Sequence, residues 1–274
     1  MFVWDLSFFT TATILFALGA IVGSFLNVLI YRTVHDQQFV KGRSRCPRCN
    51  AMIAWYDNIP ILSFLLLRRR CRSCFETISW TYPVVEILTG ALFVWWFLIG
   101  FTFFKLSTEP LLYLQPIFWL TVGTILIVVF FTDLLYGIIP DVMVALLIGI
   151  SLAYRIALLV SGVYYHIDFS NAILGSALLS LALFGLFVAT KGRGFGFGDV
   201  KFMFPLGLLM GWPEMIVGIW VSFVSGGVVG VLLLLGGKKK FGQTLPFGPF
   251  MIFGTIFALL FGSKLAGWYL STVL

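Results

Sequence analysis

Long apolar segments alternate with short polar connections along the whole chain, and this alternation predicts its architecture. A membrane-spanning helix needs about 20 consecutive apolar residues to cross the hydrocarbon core of a bilayer. The pattern therefore predicts about eight transmembrane helices, at residues 6–31, 82–104, 111–132, 142–163, 170–190, 200–212, 215–236 and 246–270.

The first and the sixth of these segments differ from the others. Leu6–Tyr31 carries no charge over 26 residues, which is longer than the core of a signal peptide, so we expect an uncleaved first helix. Segment 200–212 contains Lys201 and Pro205, and its thirteen residues make only about 20 Å of helix. It is expected either to cross a locally thinned bilayer or to form a half-helix buried within the bundle.

Composition supports a membrane protein. Sixty per cent of the 274 residues are hydrophobic and 11% are charged, whereas roughly a quarter of the residues in a soluble domain are charged. The predicted fold class is an all-α polytopic membrane protein with one small hydrophilic insert. We expect three parts: a first transmembrane helix (1–31), an extramembrane module (32–81) and a transmembrane bundle (82–274).

The basic residues predict the orientation. Fifteen of the 18 lysines and arginines lie in the segments 32–72, 191–201 and 238–240. Eight crossings with the N-terminus outside would place all three segments in the cytoplasm, as the positive-inside rule requires. The net charge of +7 is then read as an orientation signal and an attraction to anionic membrane lipids. Nucleic acid is not an expected partner, because no basic stripe lies on a soluble domain of adequate size.

All four cysteines of the chain fall in the hydrophilic insert. CPRCN at 46–50 and CRSCF at 71–75 form two C-x2-C pairs separated by 21 residues. Such pairs bring four thiolates to one tetrahedral ion, so Cys46, Cys49, Cys71 and Cys74 are the predicted ligands of a structural zinc. Two disulfides are the alternative, but a reducing cytoplasm disfavours them. With four protein ligands, the zinc would have no open position for catalysis.

Four acidic residues fall near the predicted cytoplasmic face of the membrane: Glu86, Asp133, Asp141 and Asp199. Ionisable groups at this depth are costly, so their default interpretation is functional. Structural explanations remain open for three of them. Asp141 follows a proline and can cap a helix, Glu86 lies in a first helical turn where the dipole favours negative charge, and Asp199 can also be a cap.

Two features, the position of Asp133 and the glycines before Asp199, point to chemistry. Asp133 closes a helix, where the dipole disfavours a carboxylate, and glycines at 194, 196 and 198 precede Asp199 although a cap needs none. The chain contains no H-E-x-x-H and no Walker loop, and its only histidines, His35 and His166, are predicted on opposite sides of the membrane. An aspartyl pair, in which two carboxylates share a proton, remains as the predicted hydrolytic constellation.

Several motifs together resemble the bacterial type IV prepilin peptidases. That family has a G-S-F-L-N-V-x-x-Y-R motif, found here at 23–32, and a Y-P-x-V-E-x-x-x-G stretch, found here at 82–90. An N-I-P stretch between its cysteine pairs is matched at 58–60. Its two aspartate motifs are similar to DLLYGIIPD at 133–141 and GFGDVK at 196–201. The order of the motifs also agrees.

The resemblance implies a membrane-embedded aspartyl endopeptidase of the bacterial inner membrane, with Asp133 and Asp199 as its catalytic pair. It implies cleavage of a short basic leader from prepilins or pseudopilins, and often N-methylation of the new terminus with S-adenosylmethionine as the donor. The glycines would let the substrate backbone approach Asp199. The remaining motif residues are expected to support the site: Gly196, Gly198, Lys201, Asp141 and Glu86. The residues that would bind S-adenosylmethionine are not identified by the sequence.

Two functions of other classes remain as alternatives. A proton-coupled transporter or channel also places acids in membrane helices, but it does not account for the tetracysteine module. A zinc-module scaffold that anchors a secretion or pilus machine would leave both aspartates dispensable. In one respect the chain departs from the family: LLLRRRCRSC has arginines where many members place a glycine before the third cysteine.

Overall fold

The computed structural model describes residues 6–35, 44–100, 114–163, 165–238 and 244–273. These residues form nine α-helices: α1 (Leu6–Val34), α2 (Leu62–Leu66), α3 (Thr81–Trp95), α4 (Leu114–Tyr136), α5 (Asp141–Val160), α6 (His166–Ala189), α7 (Phe197–Met210), α8 (Glu214–Leu235) and α9 (Gly248–Val273). A 3-10 turn at Trp55–Asn58 precedes α2, and a π-helical turn at Trp96–Gly100 follows α3. In this part of the chain, the only β-bridges are isolated ones.

Seven of the described helices are long and apolar enough to cross a membrane, namely α1, α3 with its π-helical turn, α4, α5, α6, α8 and α9. The prediction of an all-α polytopic membrane protein is therefore confirmed. The sixth predicted segment, 200–212, corresponds to α7, which has 14 residues. Parts of the predicted pattern lie outside the described residues, including Lys41, Arg43, Lys105, Lys239, Lys240 and the ends of the second and third predicted spans at 101–104 and 111–113.

The chain divides into two compact units. The first contains residues 1–102 and Trp119–Val128, and the second contains Phe103–Phe118 and Val129–Leu274. Helix α4 therefore contributes its middle to the first unit and both of its ends to the second. The tetracysteine module belongs to the first unit, and both predicted catalytic aspartates belong to the second.

Small residues hold α1 against α3 in the first unit. A Cβ atom on Gly23 would lie 2.7 Å from the Cα of Glu86, and one on Gly19 would lie 2.7 Å from the carbonyl oxygen of Thr89. The side-chain amide of Asn27 donates to the Tyr82 carbonyl at 3.1 Å. Close backbone approach at glycines four residues apart is a common way to pack membrane helices. The GSFLN motif is thus a packing surface for the start of α3.

Helix α7 is the buried centre of the second unit. Phe202, Leu206 and Leu208 are almost completely buried. A Cβ atom on Gly207 would lie 2.6 Å from the Ser176 hydroxyl of α6, so these two helices also approach closely. A helix that is apolar on most sides is stable where protein or lipid covers it, and most residues of α7 are buried within the protein. Burial inside the protein explains why so short an apolar helix can exist here.

Candidate active site and metal centre

Two buried carboxylates lie at helix ends in the second unit. Asp133 is in the last turn of α4, and Asp199 is in the first turn of α7. Only 5% of Asp133 and 7% of Asp199 is exposed, and the two carboxylates are close enough for their charges to interact. The structure therefore brings together the two residues that the sequence nominates as a pair. Their catalytic role stays a prediction.

The carboxylate of Asp133 is held by the start of α9. Its Oδ2 atom accepts a hydrogen bond from the backbone N–H of Gly248 at 2.8 Å. The first N–H groups of a helix have no partner within the helix, and the helix dipole is positive there, so this position suits a carboxylate. A Cβ atom at Gly248 would lie 2.7 Å from the same oxygen. The contact therefore requires a glycine.

The carboxylate of Asp199 is held in a similar way. Its Oδ2 atom accepts a hydrogen bond from the backbone N–H of Gly196 at 2.9 Å. Gly196 is the residue that precedes α7, and Asp199 is the third residue of that helix. Asp199 is thus not at the N-cap position that the sequence left open, but it satisfies the N–H of the N-cap residue from inside the first turn.

Aromatic packing joins the two glycines. Phe195 precedes Gly196 and Phe247 precedes Gly248, and their rings meet edge to face with centroids 5.0 Å apart. Phe223 of α8 contacts both rings, with centroids at 5.5 and 5.3 Å. Edge-to-face pairs are specific in geometry as well as apolar. This cluster fixes the two N–H donors relative to each other, and through them the two carboxylates.

An ion pair joins the two aspartate motifs. Lys201 of α7 donates through Nζ to Oδ1 of Asp141, the first residue of α5. The ammonium group also lies 5.3 Å from the ring centroid of Phe197. The N-cap residue of α5 is Pro140, and Asp141 lies in the first turn after it, where no side-chain capping hydrogen bond is present. Asp141 and Lys201 instead tie the starts of α5 and α7 together.

Gly198 allows close packing at the start of α7. A Cβ atom there would lie 3.2 Å from the Cβ of Ile139, in the segment that connects α4 to α5. The resemblance implied that the glycines admit substrate near Asp199. Packing against Ile139 is a second physical reason for a glycine at this position, because a side chain there would push the two aspartate motifs apart.

Glu86, the remaining predicted support residue, serves the first unit. It is 7% exposed on α3, and its Oε2 atom accepts a hydrogen bond from the backbone N–H of Ile61 at 2.8 Å. Gly23 of α1 packs against the backbone of Glu86. Glu86 thus lies where α1, α3 and the residue before α2 meet. These contacts fit a structural function, and the supporting function in catalysis stays a prediction.

The four cysteines form one cluster, as the sequence predicts. All four sulfur atoms lie within 4.8 Å of one another, and those of Cys46 and Cys74 are 3.8 Å apart. Four thiolates at about 2.3 Å from one tetrahedral zinc ion would have sulfur atoms about 3.8 Å apart. The backbone N–H groups of Cys74 and Ser73 lower the pKa of the Cys71 thiol to about 7. The cluster could hold a metal ion, and its geometry suits zinc.

The cluster is built from two similar knuckles, a repeat that the sequence analysis missed. In the first knuckle, the Cys46 N–H donates to the Ala51 carbonyl and the Asn50 N–H donates to the Cys46 carbonyl. In the second, 25 residues later, the Cys71 N–H donates to the Glu76 carbonyl and the Phe75 N–H to the Cys71 carbonyl. The turn residues Asn50 and Phe75 both have φ of 58°. The spacing of the cysteine pairs was the available signal, since equal spacing implies equal turns.

A second contact braces the knuckles. Arg72 donates to both carboxylate oxygens of Asp57, at 2.8 and 2.6 Å, and these bonds lower the pKa of Asp57 below its usual value. The guanidinium also lies 5.5 Å from the ring centroid of Tyr56. The 3-10 turn is thus fastened to the second cysteine pair from outside the cluster.

Gly248 and the phenylalanines beside the glycines were not predicted from the sequence either. The FGPF run at 247–250 offered a weak signal, because glycine and proline often open a helix. Nothing local, however, indicates that this helix start faces Asp133.

Known protein families match regions in both units of the chain. Residues 17–99 match the family model described as bacterial peptidase A24 N-terminal domain, and residues 120–231 match the one described as type IV leader peptidase family. The prepilin leader peptidase/N-methyltransferase of Myxococcus xanthus is 38% identical over a match that covers 82% of this chain and 63% of that protein. The one of Aeromonas salmonicida is 30% identical over 96% of this chain and 94% of its own length. The one of Legionella pneumophila is 31% identical over 91% of this chain and 91% of its own length.

No solved structure matches the chain significantly. The family models cover the α1–α3 region with its cysteine pairs and the region that contains both buried aspartates. Similarity to the relatives extends over nearly their whole length in two of the three cases. On these grounds, the chain belongs to the type IV leader peptidase family.

Proposed function

We propose that this protein is a membrane-embedded aspartyl endopeptidase that removes the leader from type IV prepilins or pseudopilins, with Asp133 and Asp199 as its catalytic pair. The name of these relatives supplies the substrate class. The observation that carries the proposal is the paired arrangement of the two buried carboxylates, each held through Oδ2 by a glycine N–H. The reaction would use their Oδ1 atoms.

The pair can divide the proton transfers of peptide hydrolysis. The ionised carboxyl takes a proton from water as its oxygen attacks the scissile carbonyl carbon, while the protonated carboxyl donates to the carbonyl oxygen. The resulting diol then collapses: the C–N bond breaks, the amine nitrogen receives the proton held by the first carboxyl, and one diol hydroxyl returns its proton to the second carboxyl. The glycine N–H groups keep each carboxyl oriented, so little reorganisation is needed during the reaction.

We place the site at the cytoplasmic face of the inner membrane, with the N-terminus outside. The basic turn at 191–201 leads directly to Asp199, and basic loops of membrane proteins stay in the cytoplasm. A substrate whose apolar helix already lies in the membrane would present its leader at this level. The cleavage point would then be next to the boundary between the leader and that helix.

Zinc is proposed as the structural metal of the extramembrane module. Cys46, Cys49, Cys71 and Cys74 would complete its coordination, so it would supply folding stability to the knuckles and not chemistry. N-methylation of the new terminus is proposed from the relatives' name alone, with S-adenosylmethionine as the donor. No described residue is assigned to that donor, and no step of cleavage depends on it.

Leader release from a purified prepilin substrate tests the proposal. The wild-type protein in detergent or nanodiscs should release the leader, and Asp133→Asn or Asp199→Asn should each abolish release. Asp168→Asn is the matched control, because Asp168 is the third residue of α6 and accepts the N–H of Tyr165 just as Asp199, the third residue of α7, accepts that of Gly196. That variant should cleave normally. Full activity of either pair variant, or no cleavage by the wild type, would refute the assignment.

A further inference from the structure

The extramembrane module exposes an apolar helix face. Leu62, Leu65 and Leu66 of α2 are 57%, 62% and 81% exposed, while Ser63 and Phe64 point inward and are buried. The three leucines lie three and four residues apart, so they share one side of the helix. Apolar side chains clustered on one exposed face of a polar module mark a contact surface more often than chance.

Trp80 places this helix beside the membrane. It is the residue that precedes α3, a helix that is long and apolar enough to span, and tryptophan is enriched where such helices meet the membrane interface. Its ring lies 5.0 Å from that of Phe64. The hydrogen bond from the Ile61 N–H to Glu86 fixes the other end of α2 to the first turns of α3. Helix α2 is therefore held at the level where α3 enters the membrane.

Three consecutive arginines follow the leucines. Arg68, Arg69 and Arg70 are all exposed. Arg69 donates to the Ile78 carbonyl at 3.0 Å, and its guanidinium lies 5.5 Å from the centroid of the Trp80 ring. Arg68 and Arg69 have φ of 50° and 63°, a left-handed conformation that glycine adopts with less strain. An arginine at such a turn is strained where glycine would not be, so its charge is expected to have a function.

We propose that α2 and the arginine triplet form a binding surface for anionic phospholipids. The leucines would enter the edge of the acyl region, and the arginines would contact the headgroup phosphates above it. Charge complementarity and contact with the start of a spanning helix favour lipid as the occupant, because Phe64 of α2 and Arg69 both contact Trp80, the residue that precedes α3. Each basic side chain near an anionic surface adds to binding, and arginine also binds phosphate through two parallel hydrogen bonds.

Photo-crosslinking in nanodiscs tests the surface. The full chain, with benzoylphenylalanine in place of Leu66, is reconstituted in phosphatidylcholine with or without phosphatidylglycerol, irradiated and analysed by intact mass. We expect a phosphatidylglycerol adduct enriched well beyond the share of that lipid in the disc. The double variant Arg68→Gln with Arg70→Gln should lower this adduct roughly tenfold. Arg69 is kept, because it also has contacts within the module.

Arg45→Gln with Arg48→Gln is the matched control. It removes the same charge from the same module, and Arg45 occupies in the first knuckle the bridge position that Arg70 occupies in the second. Its adduct yield should equal that of the parent. Equal loss in both double variants, an adduct without preference for phosphatidylglycerol, or crosslinking of Leu66 to protein would each overturn the proposal. Metal content shows that each variant is folded, and none of these readouts depends on peptidase activity.

Discussion

Asp133 and Gly248 are 115 residues apart in the chain, yet the backbone N–H of Gly248 donates to the Asp133 carboxylate at 2.8 Å in a buried site. Gly248 is the first residue of α9, so the partner of this carboxylate is a helix N-terminus and not a side chain. A backbone donor cannot rotate away or change its protonation state. We infer that Gly248 is a positioning residue that sets the orientation of Asp133.

Gly248→Ala is therefore expected to impair catalysis more than folding. Its Cβ would lie 2.7 Å from Oδ2 of Asp133, so the carboxylate or the start of α9 must move. A displacement near 1 Å at a catalytic group can cost about 10²-fold in rate, and the loss should fall on kcat with little change in KM. Leader-release kinetics and thermal unfolding of the same preparation measure both effects.

Gly227→Ala is the control, because a Cβ at that α8 position would meet nothing within 4 Å. It should keep normal kinetics. Normal kcat in Gly248→Ala would show that Asp133 does not depend on this contact.

The sequence predicts features that depend on local pattern and misses those that depend on distant packing. Apolar length revealed the spanning segments, and the spacing of Cys46, Cys49, Cys71 and Cys74 revealed their cluster, because each follows from neighbours in the chain. The resemblance nominated both aspartates. The Gly248 donor depends on how α9 meets α4, and no local pattern carries that information.

The pair of Asp141 and Lys201 should matter less than the aspartate pair. The Asp141 side chain is 76% exposed and that of Lys201 is 34% exposed, and exposed pairs contribute about 0.2–1 kcal/mol. Asp141→Asn should therefore retain substantial cleavage, no more than about fivefold below wild type. Lys201→Gln and the double variant should resemble it, since all three lose the same interaction. A double-mutant cycle on kcat/KM gives the coupling, and abolished cleavage in Asp141→Asn would place Asp141 in the reaction itself.

One zinc per chain is expected, and replacing any of its ligands should release it. Metal ions contribute on the order of 10 kcal/mol to the folding of small cysteine modules, so Cys46→Ser should unfold the knuckles. Ser73→Ala, in the same knuckle as Cys71 but without a ligand atom, should keep its metal. Elemental analysis and hydrogen exchange over 44–80 measure the two effects. Protein purified without chelator that holds no metal would contradict the prediction, as would knuckles that stay protected in Cys46→Ser.

Arg155 should be required for the position of α7. It is a 7% exposed cation within α5, and its Nε donates to the carbonyl of Leu208 at 2.5 Å. The last carbonyls of a helix lack partners within it, so a buried cation satisfies them well. Arg155→Met should lower stability by about 2–3 kcal/mol, and Arg155→Lys should lose less. Thermal unfolding compares them with Lys264→Met, an exposed cation of α9, and equal behaviour of Arg155→Met and Lys264→Met would contradict this function.

The topology around α7 is the last prediction. Helix α7 has 14 residues, about 21 Å, against a hydrocarbon core of about 30 Å. Gly192 precedes α7 and Lys238 follows α8. If α7 and its connections nevertheless cross the membrane, α8 crosses it in the opposite direction, so Gly192 and Lys238 lie on the same side. We expect both on the cytoplasmic side, since each belongs to a basic segment. A membrane-impermeant maleimide should therefore label Gly192→Cys and Lys238→Cys only from the cytoplasmic side.

His166→Cys serves as the control for labelling from the outside, because α6 (His166–Ala189), which connects it to Gly192, is long and apolar enough to cross the membrane. The wild-type protein gives the background from its four cysteines, which zinc should shield. Labelling of Lys238→Cys from the outside, with Gly192→Cys still cytoplasmic, would mean that α7 enters the bundle without crossing. In that case Asp199 would lie on a half-helix whose C-terminal carbonyls end inside the protein, where Arg155 meets them. The bundle would then have seven crossings, and α7 would be a buried support for Asp199.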